Sequence, residues 1–251
     1  MVAPPIQPTA HVIRQLAPSG SLRAGINLSN FLLVTGRDEA GAPTGVAPDL
    51  ARAIADRLGV GLTLVPFASP GALADAAGHD AWDIGLIGAD PARAHRISFS
   101  AAYAQIAATY LVPASSELQH VSQVDRPGVR IAAYARSAYH LWLVRHVQHA
   151  ELVIADSIDA AFDLFVEQRL DALACLTPRL LTDVQRLPGA RILQGEFMVV
   201  QQAVGTHAEN AEAARFLRGF VEEAKASGLI AELIERHQVR GLDVAPPQVE
   251  A

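Results

Sequence analysis

Arg93 is the side chain with the most chemistry to offer, because of what precedes it. The segment Asp83-Ile84-Gly85-Leu86-Ile87-Gly88-Ala89-Asp90-Pro91-Ala92-Arg93 reads as a buried strand, a glycine turn, and an Asp-Pro pair suited to the N-cap and first position of a short helix. Arg93 then falls in the first turn, where the macrodipole disfavours a cation unless an anion joins it. A guanidinium at the carboxyl end of a strand can grip a carboxylate through two parallel hydrogen bonds. On the residues alone, that reading stands beside a solvated surface arginine, and Asp90 reads as a helix cap.

No other reactive groups form such a constellation. The single cysteine, Cys175, excludes an internal disulfide and reads as a small buried hydrophobe in the run Ala172-Leu173-Ala174-Cys175-Leu176. His146 and His149 lie three apart on a predicted helix, with His140 on a different face. That pattern fits a helix surface better than a metal site. Neither Gly-x-Ser-x-Gly nor a glycine-rich phosphate loop occurs, which argues against nucleophilic hydrolases and nucleotide binding. No metal and no cofactor is expected. A net charge of -6, with the 20 basic residues scattered, argues against a nucleic-acid partner.

The elements that must position Arg93 alternate between strand and helix. Strands are expected at 22–27, 62–67, 83–87, 108–112, 130–134, 151–155, 171–175 and 197–204, most of them continuous apolar runs of the kind covered on both faces. Between them, Val46, Leu50, Ile54 and Leu58 recur at near-helical spacing until Gly59, with Pro48 near the start. Asp156 or Ser157 opens a helix carrying Ala161, Leu164 and Phe165 on one face. Thr206-His207-Ala208-Glu209 reads as a capping box that launches a helix through Phe216, Leu217 and Phe220. The alternation predicts an α/β fold with largely parallel sheets.

Two irregular stretches, Pro113 to Ser116 with the Asp125–Gly128 turn, and Pro188-Gly189 with Gly195, set off the middle of the chain. The expected division is an N-terminal extension at 1–19, a discontinuous lobe of 20–112 plus 195–240, a second lobe of 113–194, and a disordered tail at 241–251. Hydrophobic residues make up 51% of the chain, enough for a buried core, yet no run approaches the roughly 18 apolar residues of a membrane span. Met1-Val2-Ala3-Pro4-Pro5 has neither the charged nor the apolar region of a secretory leader. Either a leader has been removed, giving a periplasmic protein, or Met1 is the native start and the protein is cytoplasmic.

Several of these segments, taken in order, resemble the family-3 extracellular solute-binding proteins, the polar amino acid receptors of ABC transporters. Asp90-Pro91-Ala92-Arg93, Phe99-Ser100 and Tyr103 are similar to the family's Thr-Pro-Glu-Arg…Phe-Ser…Tyr signature. Leu22-Arg23-Ala24-Gly25 looks like its opening strand, and Gly45 to Ala55 with Leu58-Gly59-Val60 like its first helix and exit. Arg130-Ile131-Ala132, Leu170-Asp171-Ala172 and Ala226-Ser227-Gly228-Leu229 look like later signatures. The resemblance implies a type 2 periplasmic-binding-protein fold, in which two α/β lobes joined by two hinge crossings close over a ligand. It implies that Arg93 grips the ligand's carboxylate, and that backbone N–H groups at Arg136-Ser137-Ala138-Tyr139 complete the grip. A small-molecule carboxylate, an ABC transporter permease if the protein is exported, and a monomeric state follow as expectations.

The chain departs from the family's pattern in places that bear on the ligand. The acid that usually pairs with the ligand's ammonium, five residues after the position of Asp171, is Leu176 here. An unpaired buried ammonium costs several kcal/mol, so a standard α-amino acid is not expected. The stretch from Asp83 to Asp90 is shorter than the usual spacing, and the glycine that usually precedes the second lobe's Ser/Thr is Arg136. Turned inward, Arg136 favours a second carboxylate; turned outward, it is a surface charge. Asn27, Asn30 and Phe31 would supply hydrogen bonds and a packing surface, or an ordinary loop. Gln201 and Gln202 would reach the hinge or join the crossing strands. Two rival readings remain: a cyclohexadienyl dehydratase-like lyase on the same fold, for which Asp90 is the one acid placed near the cleft, and an intracellular metabolite-binding or sensory protein without a leader.

Overall fold

A computed structural model of the chain describes residues 5–248. It separates into two compact units, one made of the residues up to 105 together with those from 201 onward, the other of residues 106–200.

The first unit opens with α1 (Ala10–Leu16), capped by the Thr9 hydroxyl on the Val12 N–H, and β1 (Ser21–Asn27). A small hairpin of β2 (Gly36–Arg37) and β3 (Pro43–Thr44) leads into α2 (Val46–Leu58). Val46, Leu50, Ile54 and Leu58 all face inward from α2, and Gly59 ends it in the left-handed conformation that the sequence anticipates. Then come β4 (Gly61–Phe67), α3 (Pro70–Ala76), β5 (Ile84–Gly88) and β6 (Ile97–Val112). β1 lies between β4 and β5, parallel to both, with Ser21 opposite Gly61 and Ala24 opposite Ile84.

The second unit repeats this plan. β7 (Arg130–Tyr134), α4 (Ala138–His146), β8 (Glu151–Ala155), α5 (Ile158–Glu167) and β9 (Ala172–Leu176) form a second βαβαβ run, with β7 lying between β8 and β9 and parallel to both. Ser157 caps α5 through the Ala160 N–H. α6 (Thr177–Asp183) and β10 (Arg191–Ile192) follow; β9 and β10 both pair antiparallel with the second half of β6. The chain returns to the first unit along β11 (Met198–His207), antiparallel to β5, then α7 (Ala211–Ala226), α8 (Leu229–Arg236) and β12 (Asp243–Val244).

The same latch fixes both runs. In the first unit the Arg23 N–H donates to Asp83 Oδ2 at 2.8 Å, the Asp83 N–H returns to the Arg23 carbonyl at 2.8 Å, and the guanidinium grips the buried carboxylate. In the second the Arg130 N–H donates to Asp171 Oδ2 at 2.8 Å and the Asp171 N–H returns at 3.0 Å. Each latch ties the amino end of the middle strand (β1 or β7) to its neighbour (β5 or β9) and so sets their register.

Four expectations are corrected. The capping box at Thr206 does not form: β11 runs on through His207, and the buried Thr206 hydroxyl donates to the Asp83 carbonyl at 3.0 Å. α7 starts only at Ala211, and Gln15 of α1 supplies the cap by accepting from the Ala213 N–H at 3.0 Å. The expected strand at 108–112 is the end of the much longer β6; alanine-rich 97–107 lacks a strand-like composition but is drawn into the sheet by its neighbours. The 1–19 segment is not a bare extension, since α1 buries Val12 and Leu16. Nor is 241–248 a disordered tail: β12 pairs with Ala104 and Gln105, and Leu242 and Ala245 are buried. The parts of those two expectations, and of the leader reading, that fall on 1–4 and 249–251 lie outside the described residues.

Candidate functional site

In open α/β sheets, ligands meet the chain beyond the carboxyl ends of the parallel strands. In the first unit that is where β5 ends. Asp90 caps a single 3-10 turn, Pro91–Arg93, its Oδ1 accepting from the Ala92 N–H at 2.8 Å, with Pro91 at the first position. Arg93 is not a solvated surface residue: it is 6% exposed, and its Nη1 donates to the carbonyl of Gly88, the last residue of β5. One 3-10 turn is too short to carry much macrodipole, so the strand-end carbonyl, rather than a helix end, is what orients this guanidinium. Gln202 of β11 stands opposite Gly88 in the ladder and is buried, while the Gln201 carbonyl accepts from the Ala89 N–H at 2.7 Å.

The last residue of β1 and the loop after it hold the other first-unit candidates. Asn27 Oδ1 accepts from the Ser29 N–H at 3.2 Å and from the Ser29 hydroxyl at 2.8 Å; Asn30 Oδ1 accepts from the Leu32 N–H at 3.3 Å. Both side chains thus use their carbonyl oxygens to fold their own loop. Phe31, at 38% exposure, leaves its ring open to solvent.

In the second unit, β7 ends and Ser137 starts α4. The Ser137 hydroxyl accepts from the His140 N–H at 3.1 Å and donates to the Tyr134 carbonyl at 2.9 Å. Arg136 before it is exposed, with φ +57°. That left-handed conformation costs a side-chain-bearing residue on the order of 1 kcal/mol and explains why glycine suits the position. The Arg136 N–H donates to His140 Nδ1 at 2.9 Å, and burial lowers the His140 pKa, so the imidazole is held neutral as an acceptor. Ala138 and Tyr139 occupy the first turn of α4, whose N–H groups have no acceptor within the helix. The Tyr139 side chain, by contrast, is buried in the unit's interior with its hydroxyl 3.7 Å from Cys175 Sγ, and burial raises both groups, the thiol to about 11. Only the backbone of Tyr139 is therefore offered as a contact. Leu176 is buried at the end of β9 and presents no carboxylate.

His146, like His140, is accounted for by local contacts. His146 stacks on Trp142 with ring centroids 4.0 Å apart and donates from Nδ1 to the Trp142 carbonyl at 2.8 Å. Among the described residues no group of three or more His, Cys, Asp or Glu is placed to hold a metal ion, and no helix is long and apolar enough to cross a membrane.

Sequence reasoning missed the Gly88 carbonyl as the anchor of Arg93 and His140 as the acceptor that pins Arg136. His140 carried a signal, since it lies three residues after the capping serine.

Against known proteins, residues 23–239 match the family model for bacterial extracellular solute-binding proteins, family 3. Among solved structures, a mutant of ArgBP from T. maritima is 22% identical with a TM-score of 0.72, the match covering 91% of this chain and 100% of that one. A binding component of an ABC transporter from Wolinella succinogenes, complexed with lysine, is 20% identical with a TM-score of 0.71, covering 87% and 95%. An ancestral amino acid-binding protein described as a precursor of cyclohexadienyl dehydratase is 21% identical with a TM-score of 0.70, covering 89% and 98%. At these identities the likeness establishes a shared fold, the two-lobed fold of periplasmic binding proteins. No curated protein sequence matches the chain.

Proposed function

The chain belongs to the bacterial extracellular solute-binding proteins of family 3, and from that premise we propose that it is a receptor for a small organic acid, working with an ABC-type permease as an exported monomer. The observation that carries the ligand class is Arg93, held nine-tenths buried at the carboxyl end of β5 with its fork oriented by the Gly88 carbonyl. A guanidinium so oriented is pre-organised to take both oxygens of a carboxylate. Within the second unit, the first-turn N–H groups of Ala138 and Tyr139 in α4 are donors of the kind an anion takes. Asn27, Asn30 and Phe31 stand at the carboxyl end of β1 in the same unit as Arg93, and the exposed Arg136 reads as a surface charge.

Leu176 argues against a standard α-amino acid, since an ammonium set beside a buried leucine finds no counter-charge there. Several structural neighbours bind arginine or lysine, and the departure at Leu176 is the reason not to transfer that ligand here. A lyase reading comes from the ancestral dehydratase precursor among the neighbours. It would need Asp90 as general acid, whereas Asp90 Oδ1 is engaged with the Ala92 N–H as a cap.

A thermal-shift screen over carboxylates with and without an amino group tests this reading. A ligand at a hundredfold excess over its Kd stabilises by about 2.7 kcal/mol. Arg93→Ala should remove the shift, and Arg93→Lys should weaken it by losing the planar fork. A shift produced by an uncharged or purely cationic compound, and kept by Arg93→Ala, would sink the assignment. Incubation with prephenate or arogenate covers the lyase: turnover would make the protein an enzyme.

A further inference from the structure

A second place in the first unit gathers positive charge, away from the strand ends discussed above. The start of β6 and the first turns of α7 border an open groove of about 410 Å³. That lies within the range of about 300–1,000 Å³ that small-molecule sites occupy. Its floor is apolar: Ile97 and Ala214 are buried, Phe99 is half-buried, and Ala94 closes one side. Gly205 opposite has no room for a side chain, since a Cβ there would strike Ile97 Cγ2 and approach the Phe99 ring at 3.4 Å. The floor is therefore fixed by close packing rather than by movable side chains.

Above this floor stand Arg215 and Arg218, both exposed and one turn apart on α7. Among the described residues neither guanidinium has an ion-pair or hydrogen-bond partner. The natural partner for Arg218 is Glu222, four residues on, but Glu222 takes Lys225 Nζ at 2.8 Å and the Gln248 N–H at 3.1 Å. Glu223 is committed to Arg57 at 2.6 Å, and Glu212 forms no ion pair with Arg215. Two like charges at i, i+3 repel one another, and an anion between them would relieve this. One carboxylate fills a single guanidinium fork, whereas a phosphoryl group, with three oxygens and close to two charges, matches two forks at once. The Ser98 hydroxyl at the same groove is held only by a long 3.4 Å bond to the Ala208 carbonyl and is available to such a group.

We propose that the Arg215–Arg218 groove binds an organic phosphate or phosphonate whose compact apolar body, such as an aryl group, rests on the accessible faces of Phe99 and Ala94, which Ile97 and Ala214 back from beneath. Phenylphosphonate is the probe. Titrated by calorimetry at low salt, it should bind roughly tenfold more tightly than inorganic phosphate, which lacks the ring, and than benzoate, which lacks the second charge. Arg215→Gln and Arg218→Gln should each weaken it by roughly tenfold. Amide NMR shifts should cluster at residues 94–99 and 211–219, and Arg93→Lys should leave the binding unchanged. The proposal is overturned by equal binding of the three anions, by no binding at millimolar concentration, by indifference to both substitutions, or by shifts centred on 88–93 or 136–140.

Discussion

Tyr103 offers a sharp test of the packing, because it reverses the usual direction of a core substitution. Its side chain is fully buried in the first unit, and its hydroxyl is, among the described residues, the buried side-chain polar atom without a hydrogen-bond partner. An unsatisfied buried hydroxyl costs about 1–3 kcal/mol of lost hydration, and phenylalanine keeps the ring while removing that cost. Tyr103→Phe should therefore stabilise the protein by about 1–2 kcal/mol, or raise Tm by about 4 °C for a chain of this size. A second signature follows from pH. Burial pushes the Tyr103 phenol well above its ordinary value. The folded state keeps the proton while the unfolded chain releases it above about pH 10, so wild-type stability falls as pH rises past that point. The variant lacks this group, and its advantage should widen by about 1.4 kcal/mol at a pH one unit above the unfolded value. Urea denaturation followed by tryptophan fluorescence reads both effects, since the chain has two tryptophans, Trp82 in the first unit and Trp142 in the second. A midpoint that falls, or a gap that does not widen in alkali, would show that the hydroxyl has a partner in solution.

Asp125 accepts from the N–H groups of Gln148, His149 and Ala150 at 3.0, 2.7 and 2.9 Å, so Asp125→Ala should cost roughly 2 kcal/mol in urea denaturation. Burial pushes its carboxyl up, but the three N–H bonds outweigh this and the pKa is lowered. The stabilisation is then present above the unfolded value of about 3.9 and lost as pH falls through the folded one, so wild type and Asp125→Ala should converge in acid. Asp183, at 1% exposure, holds Arg179 at 2.8 Å and Arg186 at 3.2 Å. Asp183→Ala removes the shared acceptor, but Arg179 keeps Asp159 at 2.6 Å and Arg186 is half exposed, so the loss should be roughly 2 kcal/mol; a loss under about 0.5 kcal/mol in the same assay would show the cluster to be solvated.

How far the sequence can be read depends on how local the deciding interaction is. Helix 46–58 is legible to its last residue, because its apolar spacing and its exit glycine lie in one short window. Strands 130–134 and 151–155 are legible to both ends for a similar reason: each is a β-rich run bounded by turn residues. Thr206 is misread because Thr-x-x-Glu is a local signal, whereas the carbonyl that claims its hydroxyl belongs to Asp83, more than a hundred residues away. The first half of β6 and the short β12 fail likewise, each becoming a strand only through its partner. At the site, Asp90 as a cap was readable from Asp-Pro alone. The burial of Arg93 was not, because it depends on a bend back to Gly88 that spacing does not encode. The floor beneath Arg215 and Arg218 comes from 94–99, so nothing in helix 211–226 announces it.

The repeated βαβαβ run explains why the candidate residues fall where they do in both units. Each Arg–Asp latch sits at the amino ends of its strands, Arg23 with Asp83 and Arg130 with Asp171, and uses up the backbone groups there. With register fixed at that end, the carboxyl ends are free to diverge in sequence without unsettling the sheet. Asn27 ends β1 and Arg93 follows β5 in the first unit; Arg136 to Tyr139 follow β7, and Leu176 ends β9, in the second. The two units spend this freedom differently. The first presents a side-chain fork oriented by a strand carbonyl, the second the first-turn amides of a helix capped by Ser137. Backbone amides cannot be altered by substitution as a guanidinium can, so on the function proposed above any ligand selectivity of the second unit would reside in the side chains beside them. On that argument Leu176 and Arg136, which depart from the family's pattern, are the positions at which exchanging an apolar for an acidic residue, or arginine for glycine, should move the ligand preference toward an amino acid.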